Sequence, residues 1–138
     1  MNSFKNAESF FHNCESAKGW DACKDYVAES AIFKAQSEPL VEVTKVKDYV
    51  DWMTGLGSIT APGCSYEIHA SAYDEVNNVA LFFATFTGKH TGDGGPVPPT
   101  NKTTNSQYVY ALTMNRQGKV SSMTKVWNSS WALHELGW

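Results

Sequence analysis

Val79-Ala80-Leu81-Phe82-Phe83-Ala84-Thr85-Phe86-Thr87-Gly88-Lys89 is apolar in both phases of a two-residue repeat. Leu81 and Phe83 occupy one phase, and Phe82, Ala84 and Phe86 the other. Side chains alternate across a strand, so a segment written this way reads as a strand buried on both faces. Just before it, Ser65 to Glu75 alternates Tyr66, Ile68, Ala70 and Ala72 with Glu67, His69, Ser71 and Tyr73. Asn77-Asn78 then supplies a tight turn, since Asn tolerates positive φ better than most residues. Just after it, Ser106 to Asn115 and Lys119 to Asn128 form a second pair, joined at Arg116-Gln117-Gly118. Ser129 to Gly137, with Trp131, Leu133 and Leu136, reads as a short closing helix.

Towards the N-terminus the period changes to that of a helix. Ala7, Phe10, Phe11 and Cys14 fall at i, i+3, i+4 and i+7, an amphipathic stripe that should stop near Gly19. Trp20, Cys23 and Val27 repeat the spacing in a second, shorter helix. Ser30 to Gln36, with Ala31, Phe33 and Ala35, is a short strand closed by Pro39. A third helix starts after Thr44 as N-cap, carries Val46, Tyr49, Val50 and Met53, and ends at Gly55 and Gly57. Helices first and antiparallel strands after is the pattern of an α+β domain.

With 138 residues, of which 42% are hydrophobic, the chain is expected to be one domain with one core that needs no disulfide or metal. Cys14, Cys23 and Cys64, an odd count, read as reduced core-filling thiols. The net charge is −3 and Arg116 is the sole arginine, which argues against a nucleic-acid surface. No apolar run approaches the ~20 residues of a membrane span. The first residues lack the basic start and apolar stretch of a signal peptide, so the expected location is cytoplasmic. No histidine pair has ligand spacing, and no metal is expected.

Gly92 to Thr100 can only be a loop, and around it the residues become specific. Phe86-Thr87-Gly88-Lys89-His90-Thr91-Gly92 followed by Pro98-Pro99-Thr100 resembles a motif of SnoaL-like polyketide cyclases. Gly118-Lys119-Val120, Trp127 and Leu133-His134-Glu135-Leu136-Gly137 resemble that family's closing strand and terminal helix. Tyr26-Val27-Ala28-Glu29-Ser30-Ala31-Ile32-Phe33 is similar to a segment of the wider nuclear-transport-factor-2-like superfamily, which has a cystatin-like fold. The resemblance implies a single α+β barrel domain over residues 1–138: a curved antiparallel sheet wrapped around N-terminal helices, with a conical pocket open at one end. It also implies a homodimer through the sheet and cofactor-free ring closure with an acidic residue as base. That acid would directly follow the closing-strand tryptophan, where this chain has Asn128, a neutral amide that cannot take a proton. The assisting basic residue would fall near Met114.

The expected ligand-binding residues are Phe11, Tyr26, Trp52, His90, Tyr110, Trp127 and Asn128. Aromatic walls with few polar groups suit a small, flat, apolar or aromatic ligand bearing a carbonyl, in a cavity of a few hundred Å3. Asn128 could equally cap the last helix, and His90 could equally hold its own loop. Trp52 lies off the Val46–Val50–Met53 stripe and is placed nearer the rim. Asp21, Asp25, Asp48 and Asp51 fall on helix ends, Asp74 before a turn and Glu67 on a wet strand face, so none of these is marked as a base. Two readings remain: a small-molecule site for a cyclase, isomerase or hydratase reaction or for binding alone, and a non-catalytic interaction or dimerisation module of the same fold.

Overall fold

The computed structural model describes residues 2–138. In chain order it contains α1 (Ser3–Glu15), α2 (Trp20–Cys23), a 3-10 turn (Lys24–Tyr26), β1 (Val27–Ala35) and α3 (Val46–Gly55), which runs into a π-helical turn (Leu56–Thr60). Then follow β2 (Ser65–Asp74), β3 (Val79–Lys89), β4 (Thr103–Met114), β5 (Val120–Trp127) and α4 (Ser129–Glu135). The strands form one sheet in the order β1-β5-β4-β3-β2. Neighbours β2–β3, β3–β4 and β4–β5 pair antiparallel, the first and last through short turns and β3–β4 through the long loop 90–102.

The α+β architecture is the expected one, with two corrections. β1 pairs with β5 in parallel, so the sheet is mixed rather than wholly antiparallel. β1 and its partner β5 are separated in sequence by α3 and the three strands β2–β4, and side-chain alternation carries no information about strand direction. β1 and β2 remain edges, so the sheet curves without closing into a barrel.

The inner face of the sheet packs on α1 and α3. α1 buries Ala7, Phe10, Phe11 and Cys14, its expected stripe, and adds Glu15. Asn2 caps it by accepting a hydrogen bond from the Lys5 amide at 3.0 Å. Phe11 stacks on Phe82 at 4.8 Å between ring centres, and Phe33 stacks on Tyr49 at 4.6 Å. Cys14, Cys23 and Cys64 are free thiols, the first two buried.

Local differences from the expected elements have physical causes. Val27 opens β1 instead of continuing a helix, because α2 tightens into the 3-10 turn. Lys45, not Thr44, occupies the N-cap of α3 and offers no side-chain cap; the Thr44 carbonyl accepts from the Phe33 amide at 2.8 Å. α3 ends at Gly55, as expected, but the chain does not leave the helical path there: it continues through Gly57 in the π-helical turn. Gly57 is glycine because a Cβ there would meet the Ala17 Cβ at 2.8 Å, so it lets the helix pass close to the end of α1.

β3 is covered on one face only: Phe82, Ala84 and Phe86 are buried, while Leu81 and Phe83 remain 42% and 37% exposed. β2 carries a bulge between Ile68 and Ala70. A bulge adds one residue and exchanges the faces beyond it. Ala70 and Ala72 therefore pair with Phe83 and Leu81 on the outer face, and Tyr73 turns inward against Phe4. His69, in the bulge, bonds the Thr85 hydroxyl at 2.7 Å.

Candidate functional site

Two charged side chains lie inside this apolar shell. Glu15 is 2% exposed at the C-terminal end of α1, and Lys125 is 6% exposed on the inner face of β5. Among the described residues the direct ion pairs are Lys24–Asp21 and Lys47–Asp51, both on the surface. Glu15 and Lys125 are instead joined through two tyrosine hydroxyls. The Lys125 ammonium donates to Tyr49 at 3.0 Å, Tyr49 and Tyr110 share a hydrogen bond of 2.6 Å, and Tyr110 donates to Glu15 Oε2. Tyr49 comes from α3 and Tyr110 from β4, so four elements converge on one chain of polar atoms.

Aromatic rings surround the ammonium. Nζ lies 4.4 Å from the Trp127 ring centre, 5.1 Å from Tyr49, 5.3 Å from Tyr108, 5.4 Å from Trp52 and 6.0 Å from Tyr110. Ring faces attract a cation and replace part of the lost hydration. They do not replace all of it: burial brings Lys125 down to about 8, against the opposing pull of Glu15. Burial raises the Glu15 carboxyl above its ordinary value, and Lys125 and the neighbouring tyrosines act in the opposite direction. The two groups are thus pushed towards each other in proton affinity.

Glu15 and Lys125 both line an inner cavity, together with Trp52, Tyr108, Trp127 and Leu133. The Tyr108 hydroxyl is buried there close to the Glu15 carboxyl but makes no hydrogen bond of ordinary length. A buried hydroxyl left without a full hydrogen bond costs roughly 1–3 kcal/mol. The cavity is narrower than the sequence led us to expect, with about 20 Å3 open to the centre of a water molecule. That is room for about one water. The large aromatic side chains that mark the walls also fill the space between them. Outside it lies a vestibule of about 520 Å3 bordered by Pro39, Ile59, Pro96 and Trp138. Trp52, Leu56 and Leu133 line both spaces and stand at their boundary.

The expected site residues separate into groups. Trp52 and Trp127 line the inner cavity and meet edge to face, 6.1 Å between ring centres. Tyr110 stands behind it, in the hydrogen-bonded chain. Phe11 belongs to the core that backs Tyr110, 4.8 Å away. Tyr26 is half-buried in the 3-10 turn, away from both spaces. His90 is buried, and its Nδ1 accepts from the Trp138 indole at 2.9 Å while its backbone bonds Lys102 and Asn101. Asn128 caps α4, its Oδ1 accepting from the Trp131 amide at 3.2 Å. Its side borders an outer groove with Thr85, Gln107 and Trp131 rather than the inner cavity. Met114, at the position of the assisting base, is a buried core residue.

Glu15 and Lys125 escape the sequence reading, which places Tyr49 only on the apolar stripe of α3, although a signal is present. Glu15 follows Phe11 by four residues, in phase with the apolar stripe of α1. Lys125 sits between Met123 and Trp127 in the inward phase of β5.

Comparison with known proteins adds a family to this geometry. The model of the SnoaL-like domain matches residues 7–123, most of the chain. The chain belongs to the SnoaL-like domain family. No curated protein matches its sequence. Among solved structures, this SnoaL-like chain is similar to a protein of Jannaschia sp. CCS1 provisionally named a SnoaL-like polyketide cyclase. That pair has 15% identity and a TM-score of 0.79, covering 97% of this chain and 90% of the other. AclR of Streptomyces galilaeus, provisionally named a hydroxylase, is 18% identical with a TM-score of 0.75, over 98% of this chain and 84% of its own. An NTF2-like protein of Burkholderia thailandensis E264 is 10% identical with a TM-score of 0.75, over 100% and 98%. At these identities the likeness is one of fold.

Proposed function

We propose that residues 1–138 act as one cytoplasmic small-molecule-binding unit. It takes a flat, largely apolar ligand with a carbonyl group and performs acid–base chemistry on it without a cofactor, in the manner of a cyclase, isomerase or hydratase. The observation that carries this reading is the pairing of Glu15 and Lys125 at one small aromatic-walled cavity, with the Tyr108 hydroxyl left without a full hydrogen bond beside them. An apolar wall with a few convergent polar groups is what a ligand site requires. A carboxyl raised by burial holds a proton more readily than an exposed one, which suits it to general acid–base work. Glu15 therefore takes the place of the base that Asn128 cannot supply, and Tyr108 donates to the ligand oxygen. Trp52 and Trp127 wall the apolar body, and Leu133 on α4 stands at the boundary through which it enters from the vestibule.

The narrowness of the inner cavity gives weight to the second reading, a non-catalytic interaction module whose outer sheet face joins two copies. Native mass spectrometry beside a denatured spectrum separates them. Extra mass that disappears on denaturation supports an occupied site and begins to name the ligand. A mass without addition, together with no binding of flat carbonyl compounds by tryptophan fluorescence, overturns the ligand reading and leaves the module.

A further inference from the structure

We propose that Lys125 is an amine nucleophile that forms an iminium link with an aldehyde or ketone ligand, and that Tyr49 and Tyr110 carry to Glu15 the proton it must shed. This rests on the reading of the inner cavity as a carbonyl-ligand site.

Both ends of the hydrogen-bonded chain, Lys125 and Glu15, open on the cavity, while the two tyrosines that join them are packed behind it. Every link can donate in one direction, from ammonium to Tyr49, from Tyr49 to Tyr110 and from Tyr110 to carboxylate. Moving one proton per link leaves a neutral amine and a carboxylic acid, with no change in net charge and no need for solvent. Separated buried charges are expensive, so the neutral pair is within reach when a ligand displaces the last water. Desolvation already lowers the proton affinity of Lys125, the usual way of readying a lysine for attack on a carbonyl.

The chemistry balances without an added reactant. The Lys125 lone pair adds to the carbonyl carbon, the C=O pair moves to oxygen, and a proton passes from the new ammonium centre to that oxygen to give a neutral carbinolamine. Glu15, which lines the same cavity, then gives its proton to the hydroxyl, the C–O bond breaks and water leaves. The resulting iminium carries the single positive charge that Lys125 began with, and Glu15 is again a carboxylate. The five rings that hold the ammonium hold the iminium equally well. The Tyr108 hydroxyl lines the same cavity and is the group that bonds the departing oxygen.

The test is trapping with benzaldehyde and cyanoborohydride at neutral pH, followed by intact mass and peptide mapping. The expected result is one benzyl group, on Lys125, ahead of every surface lysine. Tyr49→Phe and Glu15→Gln each slow that labelling by about a hundredfold, the scale of a lost proton transfer, while surface labelling is unchanged. Benzamide, which has the same ring and carbonyl but does not condense with amines, reports the pocket separately through quenching of Trp52 and Trp127. Benzamide binding with Lys125 unlabelled overturns the amine role and leaves the pocket. Labelling spread over surface lysines with Lys125 spared, and no benzamide binding, overturns both. Labelling of Lys125 at an unchanged rate in both variants overturns the relay.

Discussion

Lys125 is a cost to the fold at neutral pH, and its sign can be worked out. Its value is about 8 in the folded chain and 10.5 as the ordinary value. Between these the unfolded chain holds more protons, so stability rises with pH; below 8 both states are protonated and the full penalty applies. The whole shift corresponds to roughly 3 kcal/mol. Thermal unfolding should therefore show the wild type gaining stability between pH 8 and 10 relative to the double variant Lys125→Met, Glu15→Gln, which has neither charge. Parallel curves for the two proteins would sink this account. Lys125→Met alone is expected to be worse than the double variant, because it leaves Glu15 buried without its partner. A second test concerns Tyr108. Removing a hydroxyl that makes no full hydrogen bond should cost the fold nothing or stabilise it, so Tyr108→Phe should unfold at an equal or higher temperature. If the hydroxyl serves the ligand, the same change should weaken binding of benzamide by about tenfold, roughly the 1.4 kcal/mol of one hydrogen bond. An unfolding temperature well below wild type would show that the hydroxyl has a partner within the protein. The sequence marked Trp52, Trp127 and Tyr110 because aromatic residues announce themselves. It hid Glu15 and Lys125 because a charged residue on an apolar stripe becomes conspicuous only when the stripe is extended through it.

At the scale of elements, α4 and the loop before β4 close the open end of the sheet. Gly92 explains itself structurally: its amide donates to the Thr60 carbonyl at 3.0 Å, and a Cβ there would lie 1.7 Å from the Ile59 oxygen. Gly92→Ala must push the loop off the π-helical turn and should destabilise the protein by about 2 kcal/mol or more, as steric overlap with backbone does not relax cheaply. Asn128 tests what closure depends on. Asn128→Ala should cost about 1 kcal/mol as a lost cap, and Asn128→Ser should restore it. Loss of ligand affinity in Asn128→Ser at unchanged stability would show the amide to be a ligand contact instead. β3 was legible to the residue, and β2, β5 and α4 nearly so, since period-2 and period-3.6 patterns are local. The parallel β1–β5 pairing and the bulge at His69 were not: both depend on how distant segments meet. The π-helical turn that follows α3 through Gly57 was hidden for the same reason, that glycine being explained only by the proximity of Ala17.

Taken whole, the molecule has an inner face that is filled and an outer face that is not. Leu81 and Phe83 of β3 are exposed at the middle of the sheet beside Ala70 and Ala72, with Val109 and Ala111 on the paired strand. Val126 and Trp131 extend the apolar surface at 61% and 49% exposure. β3 reads as covered on both sides because it is written for two coverings, of which this chain supplies one. The second covering we propose is another copy of the same sheet, related by a twofold axis. In such an arrangement every contact occurs twice, so a single substitution is felt twice. Burying a Leu or Phe side chain is worth about 1.5–3 kcal/mol, and a glutamate in its place would set two carboxylates near one axis. Leu81→Glu with Phe83→Glu should therefore turn a dimer into a monomer by native mass spectrometry. Both side chains point away from the core, so the monomer should keep its fold and the labelling of Lys125. A wild-type protein that is monomeric at micromolar concentration would refute the arrangement, and the outer phase of β3 would then require a different partner.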